Sequence, residues 1–428
     1  MKGTRQNSGK VWLDVIGVPP SGIDGLDEEA HQRLAHAKHI IASKRLLPAL
    51  NNLKGNLGLA GRCRPWPSPF ADLYPLLRSW RGEYTVLLAT GDPLWHGVAT
   101  SLTSHFPPEE IRVTPAISAF QLAASRMLWT LEEVVCLSLH ARPLAYLSLV
   151  LMPGVRLLLL ANDGKTPAEV AGLLVAAGYG DAVMTAMAHI GMAEEASHTA
   201  TAKEWLATKP LPSIADFHVL AVACPLGVEF YPTTPGLGDG AYKSDGTLTK
   251  AEVRAITLAN LAPAPGQLLW DLGCGAGSVG IEWMRGAKGA MAIGVDRRED
   301  RLKIAKENAC RLGVPDWRGV LGDSYAAVDG LPQPDAVFIG GGIDGQLVGR
   351  VLARLKAGGR LVANVVTLEG EAVVGACFDK YGGRLTRIAI SHASSMAGQA
   401  KSNHQIWRAT TPLTQWVWHK QNDEGEAK

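Results

Sequence analysis

The stretch LLWDLGCGAGSVGIEWM, residues 268–284, constrains the fold more than any other. An apolar run leads into Asp271, glycines follow at the alternate positions Gly273, Gly275 and Gly277, and a helix is predicted from about Ser278. Glycines so placed let the chain turn sharply and let a ligand touch the backbone. The free N–H groups at the start of the helix can hold a carboxylate or phosphate. A strand–turn–helix of this kind belongs to a doubly wound α/β sheet, where ligands sit at the carboxyl edge of the strands.

Two later features fall at matching positions. The next strand ends in Gly294-Val295-Asp296, about 20 residues on, where a carboxylate can accept hydrogen bonds from ribose hydroxyls. The strand after that closes on Gly322-Asp323-Ser324, which makes Asp323 a candidate partner for an adenine amino group. A glycine loop by itself also fits a nicotinamide enzyme. The GxGxG spacing, with Asp271 two residues ahead, favours S-adenosyl-L-methionine. After the fourth strand, amino-methylating enzymes of this fold carry an Asn/Asp-Pro-Pro-aromatic tetrad. Here the chain reads Phe338-Ile339-Gly340-Gly341-Gly342-Ile343-Asp344, which suits a bulky substrate passing Gly341 or, equally, a plain tight turn.

A chain of 428 residues exceeds one ordinary core, so two or three domains are expected. Apolar runs alternate with helical patterns throughout, which predicts α/β architecture with parallel strands. First-half strands are predicted at Val11–Val18, Tyr84–Ala89, Val155–Ala161, Val183–Ile190 and His218–Ala223, with helices at Ile117–Met127 and Thr166–Ala177. Thr166 and Glu169 have the spacing of a capping box, and Ser118 can cap the other helix. Residues 226–247, rich in proline and glycine and without apolar periodicity, read as a linker. A helix from Thr249 follows. Seven strands are then expected: Gln267–Leu272, Met291–Asp296, Arg318–Leu321, Ala336–Ile339, Arg360–Val366, Thr386–Ile390 and Gln405–Arg408, the last two as an antiparallel pair.

The balance of 42 basic and 40 acidic residues gives no global attraction to nucleic acid or an anionic membrane. The six cysteines are scattered without CxxC spacing, so neither a disulfide framework nor a metal site is expected. The first ten residues are polar, and the apolar region 144–161 is broken by Pro153, Gly154 and Arg156. A soluble, cytoplasmic protein is expected.

The motifs DLGCGAGSVGIE, GVDRRED, IAKENACRLG and PDAVFIGGG, together with Leu248-Thr249-Lys250-Ala251-Glu252-Val253-Arg254, resemble the class I methyltransferases that act at carbon 15 in cobalamin biosynthesis and decarboxylate an acetate arm. The first half, through VIGVPPSG, LLATGDPLWHG, VTPAISAFQLAASRM and LSLHARP, resembles the tetrapyrrole methylases, in particular the members acting at carbon 5. Val18-Pro19-Pro20 replaces part of the glycine-rich first loop usual in that family. The fusion resembles bifunctional precorrin methyltransferases.

The resemblance implies a two-lobed tetrapyrrole methylase domain over residues 11–225 and a Rossmann-like, seven-stranded methyltransferase domain over 248–410. It implies methylation of carbons 5 and 15 of precorrin-6B, loss of the ring C acetate carboxyl to give precorrin-8X, and possible homo-oligomers. Cofactor contacts are expected at Gly17, Gly91, Asp92, Pro115, Ile117 and Ser118 in the first domain and at Thr249, Asp271, Gly273, Gly275, Gly277, Asp296 and Asp323 in the second. The substrate's carboxylate arms call for basic side chains; Lys250, Arg254, Lys401, His140 and Arg142 are the candidates, each as well explained as solvated surface charge. A ligand-supplied enamine carbon needs alignment more than a strong base, so no catalytic nucleophile or metal is expected. The alternative is a methyltransferase for another small molecule, its first domain a non-catalytic binding module.

Overall fold

A computed structural model describes residues 11–52, 61–208, 213–395 and 405–421. The chain forms two compact units: Met1–Arg142 with Pro153–Val228, and Pro143–Met152 with Glu229–Lys428.

The first unit holds two five-stranded sheets. Strands Leu13–Val18 (β1), His39–Ala42 (β2), Cys63–Pro65 (β3), Thr85–Thr90 (β4) and Ile111–Thr114 (β5) pair in the order β3-β2-β4-β1-β5, all parallel. β1 is buried along its whole length, as expected of an apolar strand covered on both faces. The second sheet contains Val134–Ser138 (β6), Arg156–Leu160 (β7), Val183–Ala188 (β8), Ala196–Thr201 (β9) and His218–Ala223 (β10), ordered β6-β7-β10-β8-β9. Only β6 and β7 pair in parallel there; the others are antiparallel. The parallel pairing expected of an alternating α/β pattern is thus confined in this sheet to β6 and β7. The connection from β8 to β9 is too short for a crossover, and such links return the chain antiparallel.

The second unit is built on Leu268–Leu272 (β11), Met291–Asp296 (β12), Arg318–Leu321 (β13), Ala336–Ile339 (β14), Arg360–Val365 (β15), Arg384–Ile388 (β16) and a last strand, Leu413–His419. Between the last two named lies a separate ribbon of Ser391–Ser395 (β17) and Gln405–Ala409 (β18), so the last strand is β19. The seven-stranded order is β13-β12-β11-β14-β15-β19-β16, with β19 antiparallel to both neighbours. This is the expected doubly wound sheet, with β14 at its centre, β11 beside it, and an apolar layer on each face.

The sequence placed the seventh strand at Gln405–Arg408 and ended the domain at 410, whereas the unit runs on through β19. Thr414 and Gln415 interrupt the apolar pattern that would have marked it. Gln415 is fully buried yet satisfied, donating to Thr257 Oγ1 and Asn364 Oδ1 and accepting from Asn260 Nδ2.

The linker expectation for 226–247 also needs correcting. Leu237 and Tyr242 are buried in the core of the second unit. Gly236 N and Leu237 N donate to Glu282 at 2.6 and 3.2 Å, the Tyr242 hydroxyl donates to Glu282 Oε1 at 2.8 Å, and Lys243 N donates to Asn308 Oδ1 at 2.9 Å. Turn-like composition hid a segment held by a buried carboxylate rather than by apolar periodicity.

Ser118 does cap helix Ala119–Met127, in a reciprocal capping box with Gln121. The box expected at Thr166 is absent. Helix Thr166–Ala176 has Lys165 at its N-cap, and Thr166 Oγ1 instead accepts from Asn162 N and Asp163 N. Five tryptophans, Trp205, Trp270, Trp283, Trp317 and Trp416, are fully buried.

Candidate functional site

In the second unit a cavity of about 510 Å³ opens at the carboxyl edge of β11, β12 and β14. Its floor is the glycine loop. Gly273, Gly275 and Gly277 have φ of +73°, +52° and +78°, a left-handed conformation that glycine adopts without a Cβ penalty. The three have different surroundings. A Cβ on Gly275 would reach nothing nearer than Thr247 O at 3.7 Å and so would point into open space, whereas one on Gly277 would meet Ala305 Cβ at 2.8 Å. Gly277 does not line the cavity; it allows the loop to pack on helix Glu299–Arg311.

Two carboxylates brace the loop. Asp296 accepts Gly275 N at Oδ2 (3.0 Å) and Arg298 N at Oδ1 (2.9 Å). Asp271 is 1% exposed; its Oδ2 accepts Gly280 N at 2.9 Å, while its Oδ1 is buried without a partner. Burial pushes the Asp271 carboxyl up to about 7, the Gly280 N–H opposing and nearby Asp296 adding to the shift. The neighbouring Cys274 thiol is likewise pushed well up by burial, which leaves it a poor nucleophile. Asp323 lines the rim, caps helix Ser324–Ala327 through Tyr325 N at 2.9 Å, and pairs with Arg297, whose hydrogen bonds hold its carboxyl below the ordinary value.

Thr249, Asp271, Gly273, Gly275, Asp296, Asp323 and Gly341 thus converge on one cavity, and a Cβ on Gly341 would meet open space. Arg254 is a different case. Its side chain is fully buried and pairs with Glu282 Oε1 at 2.6 Å, donates to the carbonyls of Leu237 and Thr249, and lies over the Tyr242 ring. It ties the 236–250 segment to helix Ser278–Gly286 and cannot reach a substrate. Lys250 pairs with Asp239 at 3.2 Å, away from the cavity. Lys401 lies outside the described residues.

Sequence reasoning missed Arg297, Arg298 and Arg301, which line the same cavity. The signal was present, because Arg297 and Arg298 follow Asp296 directly in GVDRRED at the sheet's carboxyl edge and Arg301 comes immediately after that motif.

In the first unit a smaller cavity of about 160 Å³ is lined by Gly91, Asp92, Ile117 and Ser118 from the first sheet's loops. Gly91 (φ +70°) donates its N–H to Val18 O at 2.9 Å, and Asp92 Oδ1 accepts Leu94 N at 2.8 Å, which locks the turn after β4. Gly17 does not line the cavity. A Cβ there would collide with Gly91 O and Ala116 N, so its absence lets the three loops meet. Pro115 is also outside the lining, and His140 and Arg142 are exposed and away from it. The opposite wall, including Met192 and Phe217, comes from the second sheet, and no sequence motif marked it.

Comparison with known proteins places this geometry. The profile described as "Tetrapyrrole (Corrin/Porphyrin) Methylases" matches residues 13–205, and that described as "Precorrin methyltransferase domain" matches 240–420. The "Precorrin-6Y C(5,15)-methyltransferase [decarboxylating]" of Sinorhizobium sp. is 39% identical over 413 residues, spanning 96% of each chain. The chain belongs to the precorrin-6Y C(5,15)-methyltransferase (decarboxylating) family. Single-function relatives match parts of it. A Salmonella typhimurium protein named cobalt-precorrin-7 C(5)-methyltransferase is 31% identical over 49% of this chain and 96% of its own length. A Pyrobaculum calidifontis protein named probable cobalt-precorrin-6B C(15)-methyltransferase (decarboxylating) is 32% identical over 42% of this chain and 93% of its own. Among the described residues of this precorrin-6Y methyltransferase family member, no cluster of metal-ligating side chains occurs and no helix is long and apolar enough to cross a membrane.

Proposed function

We propose that this protein methylates carbons 5 and 15 of precorrin-6B and removes the carboxyl of its ring C acetate arm, giving precorrin-8X. The observation that carries this reading is the end-to-end likeness to a named bifunctional relative, 39% identical across 96% of both chains. The two glycine-floored cavities support it, because each half has its own place for a methyl donor.

The larger cavity fits S-adenosyl-L-methionine. Open space above Gly275 admits a ligand to the backbone, and the orphaned Asp271 Oδ1 offers a buried acceptor beside it. Asp296 retains acceptor capacity for ribose hydroxyls beyond its two backbone partners. Asp323, at the rim, would accept from the adenine amino group, and Thr249 and Gly341 also line the cavity. When bound, the cofactor supplies an electrophilic sulfonium methyl. In the smaller cavity Gly91, Asp92, Ile117 and Ser118 would border the donor, with Gly17 packed against Gly91 and Ala116 outside the lining.

The protein's part is alignment and exclusion of water. The reduced tetrapyrrole brings its own nucleophilic enamine carbons, and a protonated imine of the macrocycle can take the electron pair released with carbon dioxide. No residue at either cavity need act as a strong base. The glycine turn at 340–342 leaves room for a wide substrate to approach the methyl group.

Titration calorimetry with S-adenosylhomocysteine tests the reading. Two sites per chain are expected. One site per chain would favour a first unit that only holds substrate.

A further inference from the structure

Arg45 lies in the turn between β2 and helix Leu47–Asn51, at the carboxyl edge of the first sheet. Its guanidinium carbon is 4.9 Å from the centroid of the Phe217 ring. Its Nη2 is 3.4 Å from Thr90 Oγ1 and its Nη1 3.6 Å from Met192 Sδ. Thr90, Met192 and Phe217 all line the first-unit cavity, so Arg45 stands at the mouth where the edges of the two sheets meet.

Among the described residues Arg45 has no counter-ion, a lack it shares with Arg64, Arg78 and Arg142, but Arg45 joins it to contacts with Thr90, Met192 and Phe217 of the cavity lining. Arg33 and Arg112 of the same unit hold Asp14, Arg81 holds Glu110 and Arg126 holds Glu195. Among the described residues no carboxylate lies within 4.0 Å of the Arg45 guanidinium. A thioether and a hydroxyl are weak partners for a fork of five donors, and a carboxylate takes that fork two bonds at a time. Arg45 is exposed as a residue, yet its head is desolvated enough by its neighbours to lower its pKa. Phe217 beneath it is 39% exposed, and Ile117 of the same cavity lining is 54% exposed. A cation next to open apolar surface matches a ligand with a flat apolar ring edge and carboxylate arms.

We propose that Arg45, over the ring of Phe217, forms a carboxylate subsite that grips an acetate or propionate arm of the tetrapyrrole at the first-unit cavity. The subsite rests on the functional reading above. The methyl donor also carries a carboxylate, so the test must separate the two sources.

In the full-length protein, Arg45→Gln is compared with wild type for KM and kcat in carbon-5 methylation and for S-adenosylhomocysteine affinity. The expected result is a KM for the tetrapyrrole raised about tenfold or more, with kcat, melting temperature and S-adenosylhomocysteine affinity near wild type. Arg45→Lys should recover part of the loss, since it keeps the charge but not the fork. An unchanged KM would overturn the subsite. A parallel fall in S-adenosylhomocysteine affinity would also overturn it, by giving Arg45 to the donor's carboxylate. A wild-type chain that transfers no methyl group to carbon 5 would overturn the functional reading itself, and the subsite with it.

Discussion

Gly275 donates its backbone N–H to Asp296 Oδ2 at 3.0 Å, so the carboxylate that closes β12 also fixes the turn that follows β11. Asp296→Ala removes this brace together with the proposed ribose acceptor. Hydrogen bonds to a charged acceptor are worth about 1.5–3 kcal/mol each, so S-adenosylhomocysteine should bind the second-unit site at least about tenfold more weakly. Calorimetry on the full chain reads this directly, because the first-unit site is an internal control. Equal affinities in variant and wild type would remove Asp296 from the cofactor site.

Gly275 and Gly277 should fail in different ways. Gly275→Leu sends a side chain into the open cavity from a left-handed backbone, at about 1 kcal/mol of strain. The chain should fold, with its second site closed to S-adenosylhomocysteine. Gly277→Leu drives Cβ into Ala305 and should lower the melting temperature before it affects binding. Melting curves with and without the ligand separate the two effects, and identical behaviour would refute the contrast.

Arg254 is a structural ion, not a substrate clamp. Arg254→Met leaves Glu282 buried without its cation, a loss of about 3–5 kcal/mol. Urea unfolding should show that loss, while KM for the tetrapyrrole in carbon-15 methylation stays near wild type. A raised KM with unchanged stability would restore the substrate role.

Asp271 should make the cofactor-free enzyme sensitive to pH. Its carboxyl is raised from 3.8 to about 7 in the folded state, chiefly by burial. Between those values the folded chain holds a proton that the unfolded chain has released, so this group's contribution to stability falls as pH rises across that window. The slope is at most about 1.4 kcal/mol per pH unit. Asp271→Asn, which keeps an acceptor for Gly280 N, should abolish that component. Urea midpoints across the pH series should converge for variant and wild type at the alkaline end less than at the acid end. Parallel curves would show that Asp271 is ionised throughout.

The site in the second unit was legible because its chemistry is written into backbone requirements. Glycines at alternate positions and carboxylates at two successive strand ends leave a pattern that survives reading as text. What escaped was held by polar atoms at long range. Gln415 sits in the sheet through side-chain hydrogen bonds, and Glu282 gathers residues 236–242 without any apolar period. Arg254 looked like a surface cation because only tertiary structure supplies its partner. In the first unit Arg45 and Phe217 are far apart in the chain and carry no local signature, so their meeting could come only from the fold.

The proposed division of chemistry between the two halves, on one substrate, is read out in the mass of the product. Precorrin-6B and S-adenosylmethionine are supplied to the wild-type chain and to Gly275→Leu. The wild type should yield a product with two methyl groups gained and one carbon dioxide lost. The variant should yield a product with one methyl group gained and the acetate carboxyl retained. Carbon dioxide released by Gly275→Leu at the wild-type rate would contradict the assignment of decarboxylation to the second unit.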